Sequence, residues 1–352
     1  MTSQALNDAI EQQRRRFGAD LTIMGHHYQS DAVVRHTDIT GDSLELSRKT
    51  AEIESKYIVF CGVYFMGESA ALLARPGQNI YLPEPSAECS MALMADAPAL
   101  DAVLSALTDS GRTIIPLAYV NSTLAVKAVV GRHGGSVCTS ANAGVMLKWA
   151  LAQGDGVLFL PDRNLALNTA NQLDIPALER KVIDVSGQGK QFDPAMAGKA
   201  RLLIWPGHCS IHTHFTVDQV RAARTAHPGA KIAVHPECTP EVVSSVDACG
   251  STSFLIKYAN EMPAGGTLII GTEINLVRRL AEKLKGRVTI LPLAESACEY
   301  MAETTEARLS ACLETIAVSE RTGEDSPFMV RVADDLKAPA KAALERMLAA
   351  CR

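Results

Sequence analysis

One order of features occurs three times along this chain of 352 residues. An apolar strand with a polar end is followed by a Ser or Thr near a helix start, two further strands and a cysteine. The first series begins at LTIMGHHYQ and ends at NIYLPEPSAEC. The second runs from IIPLAYVNST to LLIWPGHC, and the third runs from KIAVHPECTPE to VTILPLAESAC. Such a repeat restricts the chain to few folds, because each copy has to form a similar unit.

The spacing of equivalent residues supports the repeat. His26 lies 17 residues before Ser43, and His235 lies 17 residues before Thr252. From the hydroxyl residue to the closing cysteine the separation is 46 residues in both the first and the third series. Both separations are the same in the first and third series, and the residues occur in the same order. The sequence therefore predicts three related domains.

The middle series is longer than the other two. Tyr119 lies 21 residues before Ser140, and Ser140 lies 69 residues before Cys209. The additional residues fall in and before the polar, glycine-containing stretch VSGQGKQFDPAMAGKA. We therefore expect an insertion near residues 172–200.

Short apolar segments rich in β-branched residues alternate with amphipathic segments. The predicted strands are LTIMG, YIVFCGV, NIYLP, TIIPLAYV, GVLFLP, LLIWPG, KIAVHP, GTLIIGT and VTILPL. This pattern predicts an α/β protein with parallel sheets covered by helices on both faces. We expect three homologous three-layer αβα domains around a pseudo-three-fold axis, with the active site at the centre. The predicted domains are residues 1–96, 97–212 and 213–298, with residues 299–352 packing on the first.

Composition excludes several classes of protein. A net charge of -5 and an aromatic content of 5% argue against a nucleic-acid-binding surface. The N-terminal segment MTSQALNDAIEQQRRRFGAD is polar and amphipathic, and lacks the apolar run of a secretion signal. No apolar stretch reaches the ~18 residues that a membrane span needs. We expect a cytoplasmic protein with neither a nucleic acid nor a membrane as partner.

The chain has nine cysteines and no CxxC pair. Cys89, Cys209 and Cys298 are equivalent in the three series, so a three-fold arrangement of domains would bring their thiolates together. Three converging thiolates predict a metal or cluster site, and ligation by thiolates alone favours zinc or iron–sulfur. Three ligands would leave one position open to substrate. Among the other cysteines, Cys238 and Cys249 could form a redox pair.

The first strand of each series ends in polar residues with possible acid–base chemistry. These residues are His26 and Tyr28, then Tyr119 and Asn121, then His235 and Glu237. Ligands of parallel sheets bind beyond the carboxyl ends of the strands, so we expect these side chains to face one cavity. His212, three residues after Cys209, is a further candidate.

Hydroxyl residues near the helix starts predict an anion site. Ser43, Ser140 and Thr252 each open a predicted helix, where a hydroxyl can cap the backbone N–H groups. Three helix N-termini aimed at one point would also bind a phosphate or carboxylate without Arg or Lys.

These motifs resemble the quinolinate synthase family, the A protein of bacterial de novo NAD synthesis. The matching strings are GDSLELS, YVNST, TSANA, LPDRNLA, GHCSIH, HPEC and AESAC, in order between Leu21 and Cys312. The resemblance implies a transferase of pyridine nucleotide biosynthesis that condenses iminoaspartate with dihydroxyacetone phosphate to quinolinate, releasing phosphate and water. An L-aspartate oxidase would be a possible supplier of the imine.

The resemblance also implies the site residues. Cys89, Cys209 and Cys298 would hold a [4Fe–4S] cluster with one iron open to substrate. The substrate-binding positions would be His26, Ser43, Tyr119, Asn121, Ser140, His212, His235, Glu237 and Thr252. Tyr28 matches the catalytic tyrosine, and we expect Glu237, His235 and Tyr119 to take part in proton transfer, with Glu237 as the general base.

Two other functions are compatible with the same three cysteines. One is a zinc-dependent lyase or hydrolase, which metal analysis would distinguish from an iron–sulfur enzyme. The other is a non-enzymatic iron–sulfur redox sensor. A sensor would not need the His, Tyr and Glu residues at the strand ends, and it would carry an element for a protein or DNA partner.

Overall fold

The structure is a computed structural model that describes residues 2–351. Its strands are β1 (Leu21–His26), β2 (Ile39–Gly41), β3 (Tyr57–Cys61), β4 (Asn79–Tyr81), β5 (Ile114–Tyr119), β6 (Ser136–Cys138), β7 (Gly156–Leu160), β8 (Arg180–Val182), β9 (Leu202–Ile204), β10 (Lys231–Val234), β11 (Ala248–Cys249), β12 (Thr267–Gly271) and β13 (Thr289–Pro292).

The α-helices alternate with these strands. They are α1 (Ser3–Phe17), α2 (Asp31–Val34), α3 (Ser43–Thr50), α4 (Tyr64–Leu73), α5 (Ser90–Leu93), α6 (Ala97–Asp109), α7 (Leu124–Arg132), α8 (Ala143–Leu151), α9 (Arg163–Gln172), α10 (Ser210–Thr213), α11 (Val217–Ala226), α12 (Pro240–Ser245), α13 (Thr252–Glu261), α14 (Ile274–Lys283), α15 (Glu299–Ala302), α16 (Glu306–Thr322) and α17 (Asp334–Ala350). Short 3₁₀ turns occur at Gly18–Asp20, Ala177–Glu179, Ser186–Gly189 and Pro194–Ala197.

The strands form three parallel sheets, and their order repeats. The first sheet has the order β2-β1-β3-β4 and the third has the order β11-β10-β12-β13. The second has the order β6-β5-β7-β9-β8, which is the same arrangement with one strand added at an edge. The predicted α/β class with three parallel sheets is therefore confirmed.

The insertion in the middle series supplies the added strand. β8 pairs in parallel with β9 through Arg180–Leu202, Lys181–Leu203 and Val182–Ile204. The remainder of the predicted insertion forms the 3₁₀ turns at Ser186–Gly189 and Pro194–Ala197 and has no further strand among the described residues. The insertion thus moves the free edge of this sheet from β9 to β8.

The chain divides into two compact units. The first holds the segment up to Cys89 together with Ala297–Ala333, and contains the first sheet. The second holds Ser90–Ser296 and the segment from Asp334 onward, and contains the other two sheets. The expected boundaries at residues 96 and 212 stay predictions.

The C-terminal region differs from the expectation that residues 299–352 pack together on the first domain. In the first unit, Leu309, Leu313 and Ile316 of α16 join Ile10 of α1 and Val59 of β3 in one buried core. Helix α17 instead belongs to the second unit, where it packs on α7 and β6. The segment therefore splits, because each of its two helices covers a different apolar surface.

Glu306, the first residue of α16, forms polar contacts with residues 35 and 36 in the first unit. Its carboxylate contacts the guanidinium of Arg35 and lies 2.9 Å from Nε2 of His36, a residue 2% exposed. Burial raises the pKa of Glu306, but hydrogen bonds from His36 and Arg35 outweigh it and the pKa is lowered. The contact therefore stabilises the fold above the usual Glu pKa, and this stabilisation is lost as the pH falls.

No helix among the described residues is both long enough and apolar enough to cross a membrane.

Helix α17 approaches α7 closely at Gly131. A Cβ at Gly131 would lie 1.8 Å from the carbonyl oxygen of Pro339, so only glycine fits there. The Oγ of Ser136 donates to the carbonyl of Ala343, and the guanidinium of Arg346 donates to the carbonyl of Gly135. These contacts fix α17 against backbone groups of its neighbours.

We expect Gly131→Ala to lower the free energy of unfolding by about 1–3 kcal/mol, because the added methyl group displaces α17. Chemical denaturation of the wild type and the variant measures the change. Gly144→Ala is the matched control, since the nearest atom to its Cβ would lie 3.9 Å away. Unchanged stability of Gly131→Ala would contradict the tight approach.

We expect Glu306→Gln to lower the melting temperature at neutral pH. The difference from the wild type should shrink only as the pH falls below about 4.5, the usual Glu pKa, since protonation then removes the same charge from the wild type. Glu303→Gln, at an exposed neighbouring position, is the control. A difference that stays constant over this range would contradict the stabilising role of the ionised carboxylate.

Candidate active site

His26 and His235 end their strands in the same turn. Nδ1 of His26 accepts the backbone N–H of Tyr28 at 3.1 Å, and Nδ1 of His235 accepts that of Glu237 at 3.4 Å. The carbonyl of each histidine accepts the N–H of the third following residue at 3.0 Å. The two repeats therefore share local geometry as well as spacing. In both, Nδ1 is engaged by the backbone and Nε2 is the ring nitrogen left to donate.

A cluster of buried polar side chains lies in the second unit around Glu237. Nδ1 of His212 is 2.7 Å from Oε2 of Glu237, and Nε2 of His212 is 3.2 Å from Oγ1 of Thr272. The ring of His235 stacks on that of His212 with centroids 4.3 Å apart. Tyr119 donates a further hydrogen bond to Glu237. None of these five side chains belongs to a residue more than 5% exposed.

The Glu237 carboxylate is held ionised. Burial raises the pKa of Glu237, but the two neighbouring histidines and the hydrogen bonds from His212 and Tyr119 outweigh burial and lower it below its usual range. With Glu237 ionised, His212 donates from Nδ1, and its Nε2 carries the lone pair. This arrangement orients the imidazole with its Nε2 facing the hydroxyl of Thr272.

Asp162 connects the strand end of β7 with Cys209. This residue is fully buried, and its Oδ2 accepts the backbone N–H of Cys209 at 3.1 Å. Burial and the nearby charge of Glu237 raise the pKa of Asp162. Its hydrogen bond fixes the backbone of Cys209 beside the cluster around Glu237.

The three predicted ligand cysteines occupy equivalent places. Each stands directly before a four-residue helix: Cys89 before α5, Cys209 before α10 and Cys298 before α15. All three are partly exposed, and none of the nine cysteines, which all lie in the described range, forms a disulfide bond. A partly exposed thiol at the same point of each repeat fits the donor set of a thiolate-bound cluster.

Other cysteines are packed into apolar surroundings. Cys61, Cys138 and Cys312 are fully buried, and burial raises the pKa of each thiol. Burial also raises the pKa of Cys238, and of Cys249 to about 12. Burial therefore favours the protonated form of these thiols, which is a poorer ligand and nucleophile than the thiolate.

Cys209 also belongs to a mixed group of donors. One donor atom each from Cys209, His212 and Glu237 lies within 4.8 Å of the others, so this group could hold a metal ion. Both ring nitrogens of His212 already have hydrogen-bond partners, however. A metal bound at this group would have to replace one of those bonds.

The predicted hydroxyl residues lie at helix starts but are not the capping residues. Asp42 caps α3 and Ser251 caps α13, so Ser43 and Thr252 are the first helical residues. Ser140 lies two residues before Asn142, the N-cap of α8. The expectation that Ser43, Ser140 and Thr252 themselves cap the helices is therefore wrong, because a neighbouring Asp, Asn or Ser takes that position.

Asn121 lies just after β5 with an unsatisfied acceptor. Its Oδ1 is buried without a hydrogen-bond partner, and so is the Oγ of Ser122. Lys127, which is fully buried, donates from Nζ to the carbonyl of Ser122 at 2.5 Å. A buried acceptor of this kind is suited to a donor group on a ligand.

The structure places the predicted residues in two groups. Tyr119, Cys209, His212, His235 and Glu237 come together in the second unit. The second unit also contains Asn121, Ser140 and Thr252, whereas His26, Tyr28, Ser43, Cys89 and Cys298 belong to the first.

Two residues of the site were not among the predicted ones. Asp162 lies in the LPDRNLA motif, and Thr272 directly follows the end of β12. A polar residue at a strand end was the available signal for both, since the same signal identified His235.

Comparison with known proteins identifies the family. The family model of the quinolinate synthetase A protein matches residues 8–349. A quinolinate synthase of Acidobacterium capsulatum is 40% identical over 350 residues, covering 98% of this chain and 92% of its own. The quinolinate synthase of Geobacillus kaustophilus is 42% identical over 337 residues, which cover 95% of this chain and 90% of its own. The quinolinate synthase of Bacillus pumilus is 47% identical over 279 residues, which cover 78% of this chain and 75% of its own.

The match spans almost the whole chain and includes every residue of the cluster around Glu237. Together with the three parallel sheets, it shows that this chain belongs to the quinolinate synthetase A family of enzymes.

Proposed function

We propose that the chain condenses iminoaspartate with dihydroxyacetone phosphate to quinolinate, with release of phosphate and water. The observation that carries this proposal is the buried cluster of His212, His235, Glu237 and Tyr119 next to Cys209. Family membership supports the choice of reaction. The cluster supplies several of the acid–base groups that condensation and loss of water require.

Cys89, Cys209 and Cys298 would hold a [4Fe–4S] cluster with one iron open to substrate. The chemistry that such a group supplies is that of a Lewis acid, which withdraws charge from a substrate oxygen and eases its loss as water. Their equivalent placement before α5, α10 and α15 supports these ligands.

His212 and Glu237 would act as a pair in proton transfer. The lowered pKa of Glu237 makes its carboxylate a weak base, so the proton would reach Nε2 of His212 through the hydroxyl of Thr272, which is its hydrogen-bond partner. Glu237 then orients the ring and stabilises the charge that the ring acquires. This division of roles differs from the expectation that Glu237 is the general base.

The remaining residues would bind and orient the substrates. His26, Tyr119, Asn121 and His235 would contact the dicarboxylate, and Tyr28 would exchange a proton with the substrate. The buried Oδ1 of Asn121 suits an N–H or O–H group of the substrate.

The phosphate of the triose would bind at three helix starts, through Ser43, Ser140 and Thr252. Because Asp42, Asn142 and Ser251 are the N-caps, capping does not depend on these three side chains. An L-aspartate oxidase would supply the iminoaspartate.

The test of this function is an assay on protein purified without oxygen. We expect quinolinate from oxaloacetate, ammonia and dihydroxyacetone phosphate, measured by chromatography. An intact cluster without any quinolinate would exclude this reaction. About four irons per chain are expected, whereas one zinc per chain would favour the zinc-dependent lyase or hydrolase.

We expect serine at Cys89, Cys209 or Cys298 to abolish the brown absorbance near ~400 nm, because a hydroxyl is a poor ligand for this cluster. Iron content and the absorption spectrum measure the loss. Cys351→Ser is the control and should keep both. Full iron content in all three variants would show that other groups hold the metal.

We expect Glu237→Gln to lower kcat by about a hundredfold or more, because the amide no longer stabilises a charged imidazole. Since Glu237 stays ionised at neutral pH, any acid limb of the wild-type kcat/KM profile should come from another group. His214→Ala, at an exposed position nearby, is the control. Wild-type turnover of Glu237→Gln would remove this residue from the proton-transfer pair.

A further inference from the structure

Helix α9 is tied at its N-terminus to the Cys209 segment. Oδ1 of Asp162 caps the helix by accepting the N–H of Leu165 at 2.6 Å, while Oδ2 accepts the N–H of Cys209 at 3.1 Å. The N–H of Arg163 donates to the carbonyl of Gly207 at 2.8 Å. One end of α9 is therefore fixed to the segment that carries Cys209.

Two asparagines on the same helix hold the segment that carries Glu237. Nδ2 of Asn168 donates to the carbonyls of Pro236 and Cys238, both at 2.8 Å. Nδ2 of Asn164 donates to the carbonyl of Glu237 at 3.3 Å. The two asparagines are four residues apart and therefore share one face of the helix. Together, their amides bind the three consecutive backbone carbonyls of residues 236–238, with Glu237 in the middle.

Both asparagines are buried, at 1% and 2% exposure, and Oδ1 of Asn168 has no hydrogen-bond partner. An unsatisfied buried oxygen is destabilising, and an apolar side chain of similar volume would avoid it. The amide of Asn168 therefore has a role that an apolar side chain could not have, which is to donate hydrogen bonds to backbone carbonyls. In this position they orient the backbone at Glu237, whose carboxylate lies 2.7 Å from His212.

We propose that Asn164 and Asn168 are positioning residues that hold Glu237 in the geometry that His212 requires for proton transfer. Both act through the backbone of residues 236–238, whose carbonyls accept hydrogen bonds from their amides. The proposal rests on the proposed function, because the proton transfer is that of the condensation. Through Asp162, the same helix also sets the position of this segment against Cys209.

The experiment compares Asn168→Leu with Asn171→Ala in anaerobically purified holoenzyme. Leu keeps the volume and removes the donors, whereas Asn171 is an exposed asparagine of the same helix. We expect Asn168→Leu to lower kcat by about tenfold to a hundredfold with a smaller change in KM, because proton transfer is sensitive to displacements of about 1 Å. Iron content should stay at the wild-type level, and Asn171→Ala should match the wild type throughout.

A spectroscopic measurement separates positioning from stability. The proton between Nδ1 of His212 and Glu237 should give a far-downfield NMR signal, assigned by its loss in Glu237→Gln. We expect this signal to be lost or shifted in Asn168→Leu and kept in Gly131→Ala, a variant that lowers stability elsewhere in the second unit. This measurement does not require that quinolinate is the product.

The outcomes are distinguishable. Wild-type kcat and an unchanged signal in Asn168→Leu would overturn the proposal, whatever its melting temperature. If Asn168→Leu does not fold, Asn164→Ala, which loses one long hydrogen bond, takes its place, and an unchanged kcat and signal there would also overturn it. Absence of quinolinate from the wild type would contradict the proposed function, and the NMR signal would still test the positioning.

Discussion

Parallel pairing of one central strand with neighbours on both sides is the constraint on which each sheet depends. β1, β5 and β10 each pair in parallel with the strand that follows and with the next one. Parallel neighbours cannot be joined by a tight turn, so every connection crosses over and most contain a helix. The carboxyl ends of the strands then fall on one edge of each sheet, where polar side chains can stand without disturbing the buried apolar strands.

The long strands could be predicted because burial on both faces requires an apolar run. All nine predicted segments contain a strand. The four strands that were not predicted, β2, β6, β8 and β11, lie at sheet edges and have two or three residues each. Such strands are held by pairing with a neighbour and have no hydrophobic pattern of their own. Three of them, β2, β6 and β11, directly precede the segments with the predicted hydroxyl residues.

Residues of the candidate site could be predicted where they recur in the repeated series. Residues whose side chains bind distant backbone groups could not be predicted. His235 and Glu237 were identified because their strand end corresponds to that of His26. The capping residues were misassigned by one or two positions, since Asp42 and Ser251 compete with their hydroxyl neighbours for the same N–H groups. The partners of Asn168 lie about seventy residues away in sequence, and a side-chain bond to a distant carbonyl leaves no local pattern.

The division of the C-terminal helices between the two units has a consequence for synthesis on the ribosome. The core of the first unit includes Leu309 and Ile316, which are made about three hundred residues after Ile10. The first sheet therefore lacks part of its cover while most of the chain is being translated, although N-terminal domains usually fold first. The nascent chain therefore exposes this apolar surface for longer than the order of its domains would suggest. A chaperone would have the largest apolar surface to bind during this stage of translation.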